Sequence, residues 1–477
     1  MKIKNVLTAL AIFFCTNASL NAQQWVDQVY DVDTIIDVTY GSALNFNNNM
    51  VQLKMDIFMP KCQDTTTKRP LMIVAHGGGL IAGTYKDASI QDICAQFARR
   101  GYVTASVEYR LGYVSDEGLY QCNLAGYQCL FATDTMEWYR AYFRGIQDIK
   151  GATRYLVNRK DQFHIDEQNV FVAGESAGAI VIIGSAYMDD PSEKPAAANA
   201  IAAANIPNTN AQSCDHNLNQ VFSGTIARPD LGSIEGAIEP ALYPYTIRGV
   251  GNMYGAMFFD LLSTSTVAVK PAMYSFHQAC DIIVPWDSKK VYSGLTWCLT
   301  NGYNCNGIIN TPYIHGSKTM TDWNTNLSLG YSFQSEYVTT PFPYEYIGLQ
   351  AKNCYDQVVN GNGCHAYDSK TIRMTNMANF FATKIVNPET CVPFNSLITL
   401  QSNGVLVYPN PVNDVLNITS EDLIQSVRIL TLSGTVVKTF NVNQSTFQTK
   451  VPELSSGVYM LEITLENLGV QTTIIRK

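Results

Sequence analysis

The sequence predicts an α/β fold with a mostly parallel central sheet flanked by helices, followed by a small all-β domain. Continuous apolar runs of strand length alternate with segments of helical periodicity over the first 190 residues, which is typical of a parallel sheet covered by helices. Beyond about residue 404, short alternating strands follow one another without a helical pattern. The change of pattern indicates two separate folding units.

Composition bounds the class of protein. The chain has 477 residues, a net charge of −8 and 15% charged residues, which is enough length for two or three domains. No basic run suggests a nucleic-acid partner. Beyond the N-terminal segment, no stretch approaches the ~18 consecutive apolar residues that a transmembrane helix needs.

The first 22 residues have the pattern of a secretory signal peptide. Lys2 and Lys4 form the charged start, residues 6–14 form a short apolar core, and Ala22 provides a small residue at the cleavage point. Export to an oxidising compartment suits the cysteine content, because 11 of the 12 cysteines follow this segment. Most of these should be paired, and an odd number leaves at least one thiol free. Local candidate pairs are Cys122/Cys129, Cys298/Cys305 and Cys354/Cys364.

The first half of the α/β region begins with two edge strands. Residues 34–40 and 52–58 alternate apolar and polar side chains, as half-buried strands do. Residues 71–75 are continuously apolar, as expected of a central parallel strand. The elements predicted after them are a helix at 89–100, a strand at 102–107, a loop at 112–137, a helix at 138–158 and a strand at 169–173.

The pattern is interrupted at about 190–245 by an Ala/Asn-rich stretch, which we interpret as an insertion. It is either a lid or substrate wall, or a surface excursion without such a role. Regular elements resume afterwards, and residues 320–365 are aromatic and loop-rich. The elements predicted in this half are strands at 247–250, 271–281 and 311–315 and a closing helix at 371–385.

The pentapeptide Gly-Glu-Ser-Ala-Gly at 174–178 is the strongest chemical signal. A β-prone run precedes it, and an apolar helix start at 179–184 follows it. A sharp strand-to-helix turn strains the backbone of Ser176 and exposes its hydroxyl, which is how a nucleophile is presented to a substrate. The competing interpretation is a Gly/Ser-rich turn with no chemistry.

A second signal is His-Gly-Gly-Gly at 76–79, directly after a buried strand. Three consecutive glycines cost conformational entropy. They are expected where backbone N–H groups must point freely at a ligand.

These motifs together resemble the α/β-hydrolase superfamily, on its carboxylesterase and hormone-sensitive-lipase side, over residues 23–395. The resemblance rests on 76–79, on Glu-Tyr-Arg-Leu at 108–111 and on 174–178, with Ser176 following His76 by 100 residues. It implies an α/β-hydrolase fold and an oxyanion hole formed by the backbone N–H groups of Gly78, Gly79 and Ala177. It implies a structural role for His76, and no metal or cofactor.

A serine nucleophile needs a base and an acid that orients the base, and the superfamily's chain order is serine, acid, histidine. Asp281 lies in a stretch similar to the family's H-G-x-x-D-x-x-V-P, with Gln278 where glycine is usual; Asp287 is the alternative acid. His365, in a Gly-rich loop before the last helix, is the expected base, and His315 is the alternative.

Residues 405–477 resemble the C-terminal sorting domain of type IX secretion substrates in Bacteroidetes, after a linker at 396–404. The matching features are Tyr-Pro-Asn-Pro at 408–411, Ser433-Gly434, the Gly-Val-Tyr at 457–459 and the basic end Arg476-Lys477. We expect a small immunoglobulin-like sandwich here. The resemblance implies secretion by the type IX machinery to the surface or beyond.

The sequence therefore predicts a secreted serine esterase that acts through an acyl-enzyme. Possible substrates are acetyl or feruloyl esters of polysaccharides, simple carboxylic esters or polyesters. The alternatives are a peptidase or amidase on the same fold, and a non-catalytic surface binding protein.

Overall fold

A computed structural model describes residues 23–62, 67–114, 135–207, 222–279, 281, 283–291, 311–338, 364–389, 405–409, 412, 414–431, 434–455, 457–466 and 469–477. The predicted signal peptide, the linker at 396–404 and the candidate pairs Cys122/Cys129 and Cys298/Cys305 lie outside these residues.

The α/β part contains thirteen strands and seven α-helices among the described residues. In chain order they are β1 (Val32–Leu44), β2 (Met50–Pro60), β3 (Arg69–Ala75), α1 (Ala88–Ala98), β4 (Val103–Val107), α2 (Thr135–Asn158), α3 (Lys160–Phe163), β5 (Ile165–Glu175), α4 (Ala177–Tyr187), β6 (Ile201–Pro207), β7 (Phe222–Arg228), β8 (Ile247–Met253), β9 (Ala256–Met257), α5 (Leu261–Thr264), β10 (Ala272–Gln278), β11 (Ser288–Lys290), β12 (Tyr313–Gly316), α6 (Ser317–Asn326), β13 (Phe333–Val338) and α7 (Lys370–Ala382).

Eight strands form the central sheet in the order β1-β2-β4-β3-β5-β8-β10-β13. Pairings from β4 to β13 are parallel, and only the β1–β2 and β2–β4 pairings are antiparallel. The predicted mostly parallel sheet is therefore confirmed. Because parallel strands end at the same edge, the residues that follow β3, β5 and β10 meet at one edge of the sheet.

Helices bury both faces of this sheet, which explains the continuous apolar runs. One core contains the inward side chains of α2 and α4, and the other contains those of α1 and α7. All side chains of β3 are buried between these two layers. A strand with two buried faces favours apolar residues at every position, which accounts for the run at 71–75.

Residues 320–365 were expected to be loop-rich, and that prediction is wrong for their first part. The chain forms most of α6 there and then β13, the last strand of the sheet. Among the described strands β13 pairs with β10 alone, which places it at an edge of the sheet. Polar residues such as Gln334 and Glu336 are compatible with an edge strand. Because they interrupt the apolar pattern, the sequence did not predict a strand here.

The described part of the 190–245 segment is fastened along α2. Arg140 donates to the carbonyls of Ala197 and Pro229 at 2.8 and 2.6 Å. Arg154 binds Glu235 at 2.7 Å, near the other end of the helix. The segment, α2 and the turn between β1 and β2 line an open pocket of about 310 Å³, and none of the predicted catalytic residues lies in it. In its described part the insertion is a packed layer on α2.

The C-terminal region is an all-β domain, as predicted. Its strands are β14 (Val405–Tyr408), β15 (Val415–Thr431), β16 (Val436–Lys450), β17 (Val458–Leu465) and β18 (Gly469–Arg476), and every pairing is antiparallel. The first half of β15 pairs with β14 and the second half pairs with β17. The register of the β15–β16 pairing shifts between Thr419 and Ile424. The described strands form one hydrogen-bonded network, because β15 and β16 run through both halves.

Three cysteines lie in the described residues with a defined state. Cys62 and Cys364 are each disulfide-bonded, whereas Cys94 is free and fully buried. The expectation of at least one unpaired thiol is met by Cys94. Burial raises the pKa of this thiol, so it has the character of a core side chain rather than of a nucleophile.

Candidate active site

Ser176 occupies a strained turn between β5 and α4. Its backbone has φ +53° and ψ −122°, a conformation that non-glycine residues adopt only when the surroundings impose it. The turn is possible because two glycines leave room. A Cβ on Gly174 would lie 2.6 Å from the carbonyl carbon of Gly178, and a Cβ on Gly178 would lie 2.3 Å from the carbonyl oxygen of Ala75. Helix α4 therefore packs directly on the strands, and Ser176 stands at its N-terminus.

His365 is placed beside this serine. Its Nε2 lies 2.7 Å from Ser176 Oγ. The imidazole is supported by the ring of Tyr254 at 4.7 Å in an edge contact, and its side chain is 17% exposed. A partly exposed imidazole in contact with the hydroxyl can take the serine proton while a substrate approaches from solvent.

Asp281 completes the group. Its Oδ2 lies 2.7 Å from Nδ1 of His365, and its Oδ1 accepts the backbone N–H groups of Ile283 and Val284 at 2.8 and 3.0 Å. Burial alone would raise the pKa of this carboxyl, but His365 and His277 outweigh burial and hold the pKa below its usual value. The Asp281 side chain is thus a carboxylate that accepts a hydrogen bond from Nδ1–H of His365. This leaves Nε2 of His365 free to accept the serine proton.

The two alternative residues lie elsewhere. Asp287 forms an ion pair with Lys289 at 3.0 Å on the surface. His315 contacts the Ser288 hydroxyl at 2.8 Å and packs against Trp323. Neither has a hydrogen bond to Ser176 among the described residues.

The departure from the family motif at Gln278 has a structural counterpart. Its Nε2 donates to the carbonyl of Ala366 at 2.6 Å. Ala366 follows His365, so this side chain ties the strand that carries the acid to the loop that carries the base. A glycine at 278 has no side chain with which to make this bond.

The glycine loop after β3 lies against the serine. A Cβ on Gly77 would stand 3.2 Å from Ser176 Cβ, and Gly78 and Gly79 have φ of +109° and +63°. Within the described part of the chain, neither Gly78 nor Gly79 uses its backbone N–H in a hydrogen bond. The N–H of Ala177, in the first turn of α4, has no acceptor within the helix. Donors in this state are available to an oxyanion.

Residues 108–111 support that loop. Glu108 Oε1 lies 3.2 Å from His76 Nε2, and the Tyr109 hydroxyl donates to the His76 carbonyl at 2.9 Å. Tyr109 also stacks on the imidazole at 4.5 Å. Arg110 pairs with the buried Asp148 at 2.8 Å. His76 is fully buried and held on all these sides, which agrees with a structural role.

A cluster beneath the serine was not predicted from the sequence. Glu175 Oε1 accepts hydrogen bonds from the hydroxyls of Ser89 and Tyr367 at 2.5 and 2.8 Å. Tyr367 in turn contacts Tyr254, the residue that supports His365. Ser89 and Tyr367 belong to no recognisable motif, and no signal in their sequence surroundings identifies them. Among the described residues, no group of three or more side chains is arranged to hold a metal ion.

We expect Gly78→Ala to lower kcat/KM by roughly 100-fold or more, because a displaced oxyanion donor costs about that much. The new Cβ would stand 2.1 Å from the Ala82 carbonyl oxygen, so the loop must move. Gly232→Ala is the matched control, since Gly232 has φ +85° but open space around its Cβ position. It should lose stability from backbone strain, about 1–2 kcal/mol, and keep its activity. Equal activity in both variants would contradict a role for the loop.

Comparison with known proteins adds two family matches. Residues 55–117 match the family model described as BD-FAE, an esterase family of α/β-hydrolases. Residues 406–477 match the secretion system C-terminal sorting domain, one residue inside the predicted 405–477. This domain indicates type IX export to the cell surface or beyond. No described helix combines the length and apolar character needed to cross a membrane. A search of curated proteins finds no match.

Several solved structures are similar to this chain at low scores. The apo form of esterase 2 of Thermogutta terrifontis has 13% identity and a TM-score of 0.37, covering 76% of this chain and 96% of that one. A truncated carbohydrate esterase from gut microbiota has 15% identity and a TM-score of 0.37, covering 75% and 98%. A bacterial brefeldin A esterase has 19% identity and a TM-score of 0.23, covering 34% and 36%.

Proposed function

We propose that the chain is an esterase of the α/β-hydrolase type with a type IX sorting domain, and that it hydrolyses carboxylic esters through Ser176, His365 and Asp281. The observation that carries this proposal is the continuous pair of 2.7 Å contacts from Asp281 Oδ2 through the imidazole to Ser176 Oγ. Such a constellation activates a hydroxyl that is otherwise a weak nucleophile.

In the proposed first half-reaction, His365 Nε2 takes the proton of Ser176 Oγ while the oxygen attacks the ester carbonyl carbon. The resulting oxyanion accepts N–H groups from Gly78, Gly79 and Ala177, each worth roughly 3 kcal/mol. The imidazolium, stabilised by Asp281, then gives its proton to the departing alcohol oxygen. An acyl-enzyme remains on Ser176.

In the second half-reaction, water attacks the acyl carbonyl while His365 Nε2 takes a proton from it. Collapse of the second oxyanion returns the proton to Ser176 Oγ and releases the carboxylic acid. The site is thereby regenerated without any other reactant.

We further propose that the natural substrate is an environmental or polymeric ester, such as an acetylated or feruloylated polysaccharide or a polyester. The sorting domain supports this, since an esterase that leaves the cell meets substrates too large to be imported. The same domain is proposed to be recognised by the type IX secretion machinery.

The test is hydrolysis of p-nitrophenyl acetate, butyrate and a long-chain ester by the mature chain, with Ser176→Ala as control. We expect activity that falls with acyl length and is absent from the control. Acetylated xylan and methyl ferulate then separate the two glycan-ester classes. A folded wild-type protein that cleaves none of these esters would contradict the proposal and favour an amidase or a binding protein.

A further inference from the structure

A second histidine lies behind the proposed catalytic acid. His277, near the end of β10 and four positions before Asp281, is fully buried. Its Nε2 lies 3.2 Å from Asp281 Oδ2 and 3.0 Å from the carbonyl oxygen of Val284. Its Nδ1 lies 2.9 Å from the hydroxyl of Ser317. The steps proposed above for ester hydrolysis make no use of this imidazole.

The surroundings define which nitrogen of His277 carries the proton. The Val284 carbonyl and the Asp281 carboxylate can only accept hydrogen bonds, so Nε2 must donate. Nδ1 is then the acceptor, and Ser317 must donate to it in the neutral imidazole.

The direction of the Ser317 hydroxyl is set by one more residue. Asn252, near the end of β8, donates from Nδ2 to Ser317 Oγ at 3.2 Å, and its Oδ1 accepts the Gly255 N–H at 2.8 Å. The second contact fixes the orientation of the amide. Since Ser317 Oγ accepts from Asn252, its own hydrogen is free for His277. Donation therefore runs in one direction from Asn252 through Ser317 and His277 to Asp281.

The carboxylate of Asp281 is saturated by these contacts. Oδ1 accepts two backbone N–H groups, and Oδ2 accepts the imidazoles of His277 and His365. A carboxylate has about four acceptor positions, so each is filled. Removal of one donor from a buried carboxylate leaves one acceptor position without a hydrogen bond, and the carboxylate can then rotate.

We propose that His277 is a positioning residue for the acid, fixing the Asp281 carboxylate so that Oδ2 faces His365, with Ser317 and Asn252 holding His277 in the required tautomer. This inference rests on the proposed function. In metal sites, where outer-shell partners similarly orient the reacting ligands, their loss typically costs 10- to 100-fold in activity.

The test compares His277→Ala, His277→Gln and Ser317→Ala by kcat, KM, pH profile and thermal unfolding, with His315→Gln as a matched control away from the acid. Glutamine can place an N–H donor where Nε2 stands, so His277→Gln should stay within about 3-fold of wild type. His277→Ala and Ser317→Ala should lower kcat about 10-fold or more with KM little changed.

The pH profile separates orientation from general structural loss. Apart from Asp281, the titratable groups that the described residues place against His365 are Tyr254 and, through Tyr367, Glu175. With one donor removed, more of the carboxylate charge acts on His365. The acid limb of kcat/KM should then move to higher pH in His277→Ala and Ser317→Ala, but not in His277→Gln or His315→Gln.

The outcomes are decisive in either direction. Equal losses in His277→Ala and His277→Gln, or wild-type kcat and pH limb in Ser317→Ala, would overturn the inference. If His277→Ala does not fold, His277→Gln and Ser317→Ala still distinguish a positioning role of His277 from a purely structural one. An inactive wild type contradicts the proposed ester hydrolysis, not the positioning role. In that case the far-downfield proton resonance of the His365–Asp281 hydrogen bond reports the position of the carboxylate. An unchanged resonance in Ser317→Ala would overturn the positioning role of His277.

Discussion

Replacement of Ser176 by alanine is expected to lower kcat on p-nitrophenyl acetate by roughly 10⁵-fold or more, because loss of the nucleophile removes the acyl-enzyme route altogether. His365→Ala should cost a similar factor, since the hydroxyl without its base is as inactive as the base without its hydroxyl. The double variant should be no worse than either single one, because the two residues act as a unit. Esterase assays with a folded-state control by circular dichroism measure this.

The matched control for the base is His315→Ala. This histidine contacts Ser288 and Trp323 and not the proposed nucleophile, so its variant should keep wild-type turnover. A large loss in His315→Ala together with near-normal activity in His365→Ala would reverse the assignment of the base.

The second large effect is expected from Asp281→Asn, which should lower kcat by about 10⁴-fold. An asparagine amide can present its N–H₂ to His365, which favours the tautomer with the proton on Nε2. That nitrogen then cannot accept the Ser176 proton. The nearly isosteric change leaves the loop in place, so KM should change little.

Asp287→Asn is the control, because Asp287 pairs only with Lys289 among the described residues and its loss should leave kcat unchanged. Stability supplies an independent readout. The lowered pKa of Asp281 means that its carboxylate stabilises the folded state above the unfolded pKa of about 4, and that this stabilisation is lost as pH falls through the folded value. The difference in Tm between wild type and Asp281→Asn should therefore shrink in acid. A constant difference across pH would contradict an ionised Asp281.

Local sequence was sufficient for the features that depend on backbone conformation and burial. Glycines are required on both sides of Ser176, because a Cβ on Gly174 would lie 2.6 Å from Gly178 and a Cβ on Gly178 would lie 2.3 Å from Ala75 of β3. The motif therefore predicts a close approach of the helix to the strands. The apolar run of β3 reports burial on both faces. β13 was missed because its polar residues obscure the apolar pattern of a strand, and among the described strands its pairing is with β10.

By itself, the sequence determined the α/β class, the turn that presents Ser176 and a short list of acids and bases. Only the tertiary structure shows which side chains of that list lie together, since the contacts join His365 to residues 189 and 84 positions away. The same is true of the contacts from His277 to Ser317 and from Ser317 to Asn252, since no motif connects these three residues. The physical reason is that hydrogen bonds of this kind depend on which strand ends share an edge of the sheet, and that order arises from packing of the whole chain.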